Sequence, residues 1–341
     1  MMSASPISEA VRQECIQHVT QAVYDRHAEA LARFGPRGRQ ACSQDIGRHL
    51  DCLQAVLQTG ETAAFVDYVV WLRGVLHGHG MPAQHLDDAL AAMAEHLRSQ
   101  AGEEPGAAAF LVIGEARAAL SDKHAVVRFG QQRLAPLAQA PQFQQALLEG
   151  RRNQAVNSLS QAMEQGNSLS QAYVQIVQPA MYEIGDLWQR GRITVSQEHL
   201  ASAISHHAMV GAYTQASFLP NNGKLAVFAC VEGNFHELGL RMVADSLETA
   251  GWEVIFLGAN VPLRDLVKEI DRLRPSLLGL SAALPQHVPV ARTTIEALRA
   301  ELGTACPFVW LGGLAVSGAA TMRLAGADGW AGDALQILDQ L

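Results

Sequence analysis

Five short apolar runs near the C-terminal end limit the fold more than any other feature of this chain. They read "LAVFACV", "WEVIFLG", "SLLGLSAA", "FVWLGG" and the brief "GWAG", and helical stretches separate them. None alternates apolar with polar residues, so these strands must be covered on both faces. Buried parallel strands joined by crossover helices satisfy that need. Residues 223–341 are therefore expected to form a flavodoxin-like (Rossmann-type) domain with a five-stranded parallel sheet. Ligands bind such folds outside the carboxyl ends of the strands. His236, Ser281, Gly312 and Gly313 all fall at or just past predicted strand ends, so they should share one edge. His236 lies in "ACVEGNFHELG". By itself it reads equally as a helix-start polar residue, a base or a metal ligand. Gly239 follows three residues later and permits close backbone approach.

Upstream, the periodicity is helical throughout. In residues 1–130, Phe65, Tyr68, Val69, Leu72 and Leu76 recur at helical spacing. Gly60 ends the preceding helix, Thr62 opens this one, and Gly78, Gly80 and Pro82 break it. "HLDDALAAMAEHL" supplies a further amphipathic helix. "RLAPLAQAPQ", with Pro136 and Pro141, reads as a boundary. Residues 138–220 have the rhythm of a helical bundle. Pro179 kinks or restarts one helix, and Gly191 stops it. Thr194 with Gln197 matches a capping box, which places Glu198 and His199 in the first turn of the next helix. The fold class is thus multidomain, α and α/β.

Several partners are disfavoured. The 341 residues carry a net charge of −8 and no Lys/Arg block, which argues against direct nucleic-acid binding. Five cysteines form no CxxC pair, and their odd number suggests reduced thiols in a cytoplasmic protein. No apolar run approaches the ~20 residues of a membrane span, and the N-terminus lacks the pattern of a signal peptide.

Asn234, His236 and Gly239, then Ser281, then Gly312–Gly313 resemble the signature of cobalamin-binding domains, in which an aspartate usually occupies the position of Asn234. The resemblance implies a cobalamin whose cobalt takes His236 as lower axial ligand. Its dimethylbenzimidazole tail would lie beside Ser281 and the glycine pair. The histidine's second nitrogen would meet Asn234, with Glu232 as the alternative partner. The preceding segment resembles the four-helix cap of that family. Within it, Trp188 is followed after nine residues by Glu198–His199, a spacing that resembles B12-dependent photoreceptors of the CarH type. This implies adenosylcobalamin, with the adenosyl group between Trp188 and Glu198. Gln189 stands where that type has a histidine, so His199 becomes the candidate upper ligand after illumination.

Residues 65–82 resemble the N-terminal domain of photocobilins, which pair cobalamin with a bilin. That implies noncovalent biliverdin, with His49, His77, His79 and His85 as candidate contacts. The expected function is a light-sensing signalling protein rather than an enzyme, without catalytic residues. It would form a homo-oligomer, a dimer, and act on a downstream partner; the chain ends without an attached output domain. The main rival is a corrinoid protein carrying a methyl group between methyltransferases. A cofactor-independent adaptor is the third reading.

Overall fold

The computed structural model describes residues 7–122, 134–316 and 318–341. It contains two compact units, one helical and one combining a helical bundle with a parallel sheet. The expected end of the first domain, residue 130, lies outside the described residues.

The first unit comprises α1 (Glu9–Arg26), α2 (Ala28–Ala32), α3 (Gly35–Thr59), α4 (Thr62–Gly78), α5 (Ala83–Gln100) and α6 (Glu103–Leu120). Gly60 closes α3 in the left-handed conformation, φ 77°, and its N–H donates to the Val56 carbonyl. Phe65 and Val69 of α4 enter a core with Leu50, Leu53, Leu90, Met93, Leu97 and Ile113, while Leu72 and Leu76 pack at its margin. The four candidate histidines do not share one environment. His49 is buried, 2.7 Å from the Tyr68 hydroxyl. His85 is buried and packs against His27, with ring centroids 4.0 Å apart and the planes tilted by 37°. His77 and His79 are exposed at the end of α4.

The second unit begins with the four-helix cap. Its helices are α7 (Ala140–Leu148), α8 (Arg152–Glu164), a long helix from Leu169 to Gln189, and α11 (Val195–Tyr213). The long helix is α9 (Leu169–Ala172), a π-turn (Tyr173–Val177) and α10 (Gln178–Gln189) in sequence. The wide turn falls just before Pro179, where the ladder lacks one N–H donor. The expected capping box is present: Thr194 Oγ1 accepts from the Gln197 N–H at 3.2 Å, and Gln197 Oε1 accepts from the Thr194 N–H at 2.8 Å.

The sheet has strand order β2-β1-β3-β4-β5, all parallel, with β1 (Leu225–Cys230), β2 (Glu253–Gly258), β3 (Leu277–Ser281), β4 (Phe308–Gly312) and β5 (Gly329–Trp330). Crossover helices α12 (Leu238–Thr249), α13 (Leu263–Leu273), α14 (His287–Leu302) and α15 (Ala319–Ala325) connect them, and α16 (Ala334–Leu338) follows β5. Successive residues of β1 serve opposite faces. Val227 and Ala229 pack with Leu266, Ile270 and Ile295. Ala226, Phe228 and Cys230 pack with Leu240, Ala244 and Leu247. That two-sided burial is why the runs show no polar alternation.

One buried polar contact ties the cap to the sheet domain. The Tyr173 hydroxyl lies 3.0 Å from Asp245 Oδ2 on α12 and 3.1 Å from the Met209 carbonyl of α11. Arg241 Nη1 lies 3.6 Å from Asp245 Oδ1. Burial dominates and raises the Asp245 carboxyl to about 6 from 3.8. The folded chain therefore holds a proton there that the unfolded chain releases. Stability from this group is highest below pH 4, falls as pH rises toward 6, and is lost above it. The fall should be about 2 kcal/mol after allowance for the coupled neighbours. Asp245→Asn keeps an acceptor for Tyr173 and should remove that part of the slope. Denaturant unfolding of parent and variant at pH 4.5 and 7.5 measures it; parallel pH profiles would exclude Asp245 as the source.

Candidate functional site

The strands β1, β3 and β4 end level with one another, because Cys230 pairs with Ser281 and Ser281 with Gly312. From β1 the chain crosses to β2 on one side, while β3 lies on the other. The crevice of a doubly wound sheet opens at that reversal. The loop carrying His236 leaves β1 there.

Backbone and amide bonds fix this loop. The Gly233 N–H donates to Asn260 Oδ1 at 2.8 Å, and the Asn260 N–H donates to the Asn234 carbonyl at 2.8 Å. Asn234 is fully buried. Its Nδ2 donates to the Ser281 carbonyl at 2.9 Å, and its Oδ1 accepts from the His236 N–H at 3.0 Å. The same Oδ1 lies 3.3 Å from His236 Nδ1, which leaves Nε2 as the outward nitrogen. An aspartate has no N–H to give Ser281, so the amide performs a bridging task that a carboxylate cannot. Glu232 does not take this position: its Oε2 meets the Leu263 N–H at 3.4 Å, at the start of α13.

His236 reaches solvent. Its immediate surroundings still lower its pKa by desolvation, while the Glu198 charge pulls it upward. Glu198 sits on α11 of the cap, so a charge on the cap reaches His236 at the sheet edge. Glu198 Oε1 accepts from the Ser202 hydroxyl at 2.9 Å, and Oε2 lies 2.7 Å from His199 Nδ1. The His199 ring is exposed. A second cap histidine, His206, is half-buried within electrostatic reach of Glu237 and Arg241 on the sheet domain. Trp188 is half-buried at the end of α10.

The glycines divide into two kinds. Gly313 has φ 103°, and a Cβ there would sit 2.3 Å from the Ala282 carbonyl oxygen. A Cβ on Gly312 would meet the Ala331 carbonyl oxygen at 3.3 Å. The chain's own packing thus requires Gly313, whatever lies beyond it. Nothing stands within 4 Å of a Cβ built on Gly239, so that position is open to a ligand beside His236.

Sequence reasoning missed His206, Asn260 and His287. His287 is 5% exposed, and its Nδ1 accepts the Leu284 N–H at 3.1 Å. Burial pushes it down to about 4, His236 lowers it further, and the Gly233 carbonyl opposes them. No spacing rule picks out this residue; its only sequence signal is its place six residues beyond Ser281, past the same strand end.

Among the described residues, no group of three or more His, Cys, Asp or Glu side chains is arranged to hold a metal. His236 would be a lone protein ligand, which suits a metal whose other positions a macrocycle already fills. The outward Nε2 and the open face at Gly239 fit a corrinoid. A cleft of about 480 Å³ lined by Ser246, Thr249 and Leu169, among others, lies at the far end of α12 from this edge. In the first unit, α1 and α5 enclose about 220 Å³ beside Ala22, Asp88 and Ala92. That is below the ~300 Å³ at which ligand-sized pockets begin.

Comparisons with known proteins agree with the chemistry. Residues 224–339 match the B12 binding domain family, and residues 140–210 match a second B12 binding domain family. The HTH-type transcriptional repressor CarH of Myxococcus xanthus is 33% identical over 144 residues, covering 42% of this chain and 47% of that protein. CarA of the same organism is 36% identical over 127 residues, covering 36% of this chain and 42% of that protein. Dimethylamine corrinoid protein 1 of Methanosarcina acetivorans is 30% identical over 127 residues, covering 36% and 58%. The chain spans about half the length of these relatives. The monomethylamine corrinoid protein of Methanosarcina barkeri shares the fold, with a TM-score of 0.51 at 20% identity over 58% of this chain and 94% of that one. No helix among the described residues is long and apolar enough to cross a membrane.

Proposed function

We propose that this chain, with its CarH-like cobalamin-binding region, is a light-sensing adenosylcobalamin photoreceptor that signals through movement of its helical cap. The observation that carries the reading is that the Glu198 charge on the cap lies within electrostatic reach of His236 at the sheet edge. Bound adenosylcobalamin supplies a light-cleavable cobalt–carbon bond whose breakage empties the space beneath the cap. His236 would hold the cobalt through Nε2, with Asn234 fixing the ring. Gly239 would leave room for the corrin. Glu198 accepts hydrogen bonds from sugar hydroxyls, and Trp188 offers an aromatic wall for adenine. The signal would pass to a partner protein, because the chain has no basic block for phosphates.

The similarity to a dimethylamine corrinoid protein keeps a methyl-carrying role as the second reading. A methyl carrier needs an upper face that can be uncovered, whereas Trp188 and Glu198 favour a bulky upper ligand. Biliverdin as a second chromophore rests on the helical unit's likeness to photocobilins. Its α1–α5 groove would have to widen to take a tetrapyrrole.

Absorption spectra and elution volumes of the purified full chain, loaded with adenosylcobalamin in the dark and then illuminated, test the reading. Photolysis with a change in elution volume, or in hydrogen-exchange protection over residues 180–210, is expected. Unchanged elution and protection would remove the switch even if the bond breaks. Adding biliverdin to the same protein should sharpen its red band; a mere superposition of spectra would remove the second chromophore.

A further inference from the structure

We infer that Asn260 is a positioning residue for the loop that presents His236, acting through the backbone of Gly233 and Asn234. This rests on the reading of His236 as cobalt ligand. The two residues belong to different crossovers, His236 after β1 and Asn260 after β2. Those strands are parallel neighbours with Ala229 beside Gly258, so their outgoing loops start side by side. Each peptide group from Glu232 to His236 makes a hydrogen bond, and Asn260 supplies the partner for two of them. Its Oδ1 accepts the Gly233 N–H at 2.8 Å, and its own N–H donates to the Asn234 carbonyl at 2.8 Å. Between these, the Asn234 N–H donates to the Val231 carbonyl at 3.0 Å. Gly233 is exposed and left-handed, φ 84°, in a region that glycine enters and leaves at little cost. Asn234 hangs from the peptides so held, and its side chain fixes both the His236 N–H and His236 Nδ1. Release of the Asn260 bonds would let Asn234 tilt and carry the imidazole away from its set orientation.

Asparagine suits this position on two counts. Its backbone is left-handed, φ 50°, a region that asparagine tolerates better than most side chains. Its side chain must also bring an acceptor to a backbone N–H, which fixes the oxygen end of the amide toward Gly233. The residue is itself anchored, because the next N–H, of Val261, donates to the Cys230 carbonyl at 3.1 Å. The clamp is therefore tied to the last residue of β1, below the loop that it holds. Partners beyond a metal-binding histidine set its orientation and are commonly worth 10–100-fold in metal affinity. Asn234 is that partner here, and Asn260 acts one step further out.

The rival account gives Asn260 only a local role, forming the left-handed turn between β2 and α13. Two substitutions separate the accounts. Asn260→Gly adopts φ 50° without strain and keeps the backbone N–H, so it satisfies the turn and loses only the side-chain oxygen. Asn260→Asp keeps the turn, the N–H and an oxygen for Gly233. The test uses the full chain with hydroxocobalamin as probe. It reads the His-on and base-off absorption bands and the rate of cobalamin loss. On the apo-protein it reads hydrogen-exchange protection over residues 232–237 and the melting temperature.

Asn260→Gly should lose about tenfold in retention, show a mixed spectrum and lose exchange protection over residues 232–237, while melting close to the parent. Asn260→Asp should restore the His-on spectrum and the protection. The proposal is overturned if Asn260→Gly keeps parental ligation and protection while His236→Ala loses ligation, since the turn alone would then be enough. It is equally overturned if Gly and Asp weaken retention together in step with melting temperature, since that marks a structural role alone. Unchanged ligation in His236→Ala would instead overturn the ligand assignment on which the proposal rests.

Discussion

His236→Ala should lose cobalamin retention by at least about 100-fold, since even residues that only orient a metal-binding histidine cost 10–100-fold. Whatever remains bound should show the base-off spectrum. The substitution removes the imidazole that Asn234 orients at the strand edge, and Asn234 is held to Ser281 independently of the ring. The loop should therefore keep its shape with a gap where the ring stood. Added imidazole should then restore part of the His-on spectrum. A variant whose bound spectrum matches the parent's would place the cobalt ligand elsewhere.

Gly313→Ala should be the most damaging glycine substitution at the site. A Cβ there would lie 2.3 Å from the Ala282 carbonyl oxygen, 2.7 Å from its carbon and 2.9 Å from its nitrogen, with φ at 103°. Backbone strain of this kind costs about 1–3 kcal/mol. Relief of the clash must also separate the ends of β3 and β4, where the Ala282 N–H bonds to the Gly312 carbonyl at 2.9 Å. A total of about 3–5 kcal/mol is expected, at the upper end for single substitutions. Gly239→Ala provides the contrast. Its new methyl meets nothing within 4 Å, so unfolding of the apo-protein should be almost unchanged while cobalamin retention falls. Denaturant melts of both apo-variants, with spectral titration of each, measure the pair. Equal destabilisation by both would show that the two glycines do not divide between fold and ligand.

Much of the second unit was legible in the sequence. Continuous apolar runs imply strands covered on both faces, and that places every strand's carboxyl end on one edge. His236, Ser281 and Gly312 arrive there for that reason alone. The Thr194–Gln197 box was equally readable, because a cap is formed within four residues. The wide turn before Pro179 was legible only as a disturbance, since a proline signals a missing donor without saying how the ladder adjusts.

The roles within the site were less legible. Ser281 and Gly313 read as ligand-side residues, and each also has a structural task. Ser281 supplies a carbonyl to Asn234, and Gly313 makes room for Ala282. Glu232 was a plausible partner for His236 and instead meets α13. The histidines of the first unit looked like one group and lie in different surroundings.

By itself, the sequence determined the element types, the parallel sheet and the strand edge at which His236 stands. These follow from periodicity and from short-range geometry, which depend on neighbours a few residues apart. The tertiary structure alone decided that Asn234 uses both ends of its amide and that Asn260 holds the loop. It also brought the Glu198 charge within electrostatic reach of His236. The Asn260 and Ser281 bonds join residues 26 to 47 positions apart, and only the packing of separate elements fixes which polar groups are left to satisfy one another once water is excluded.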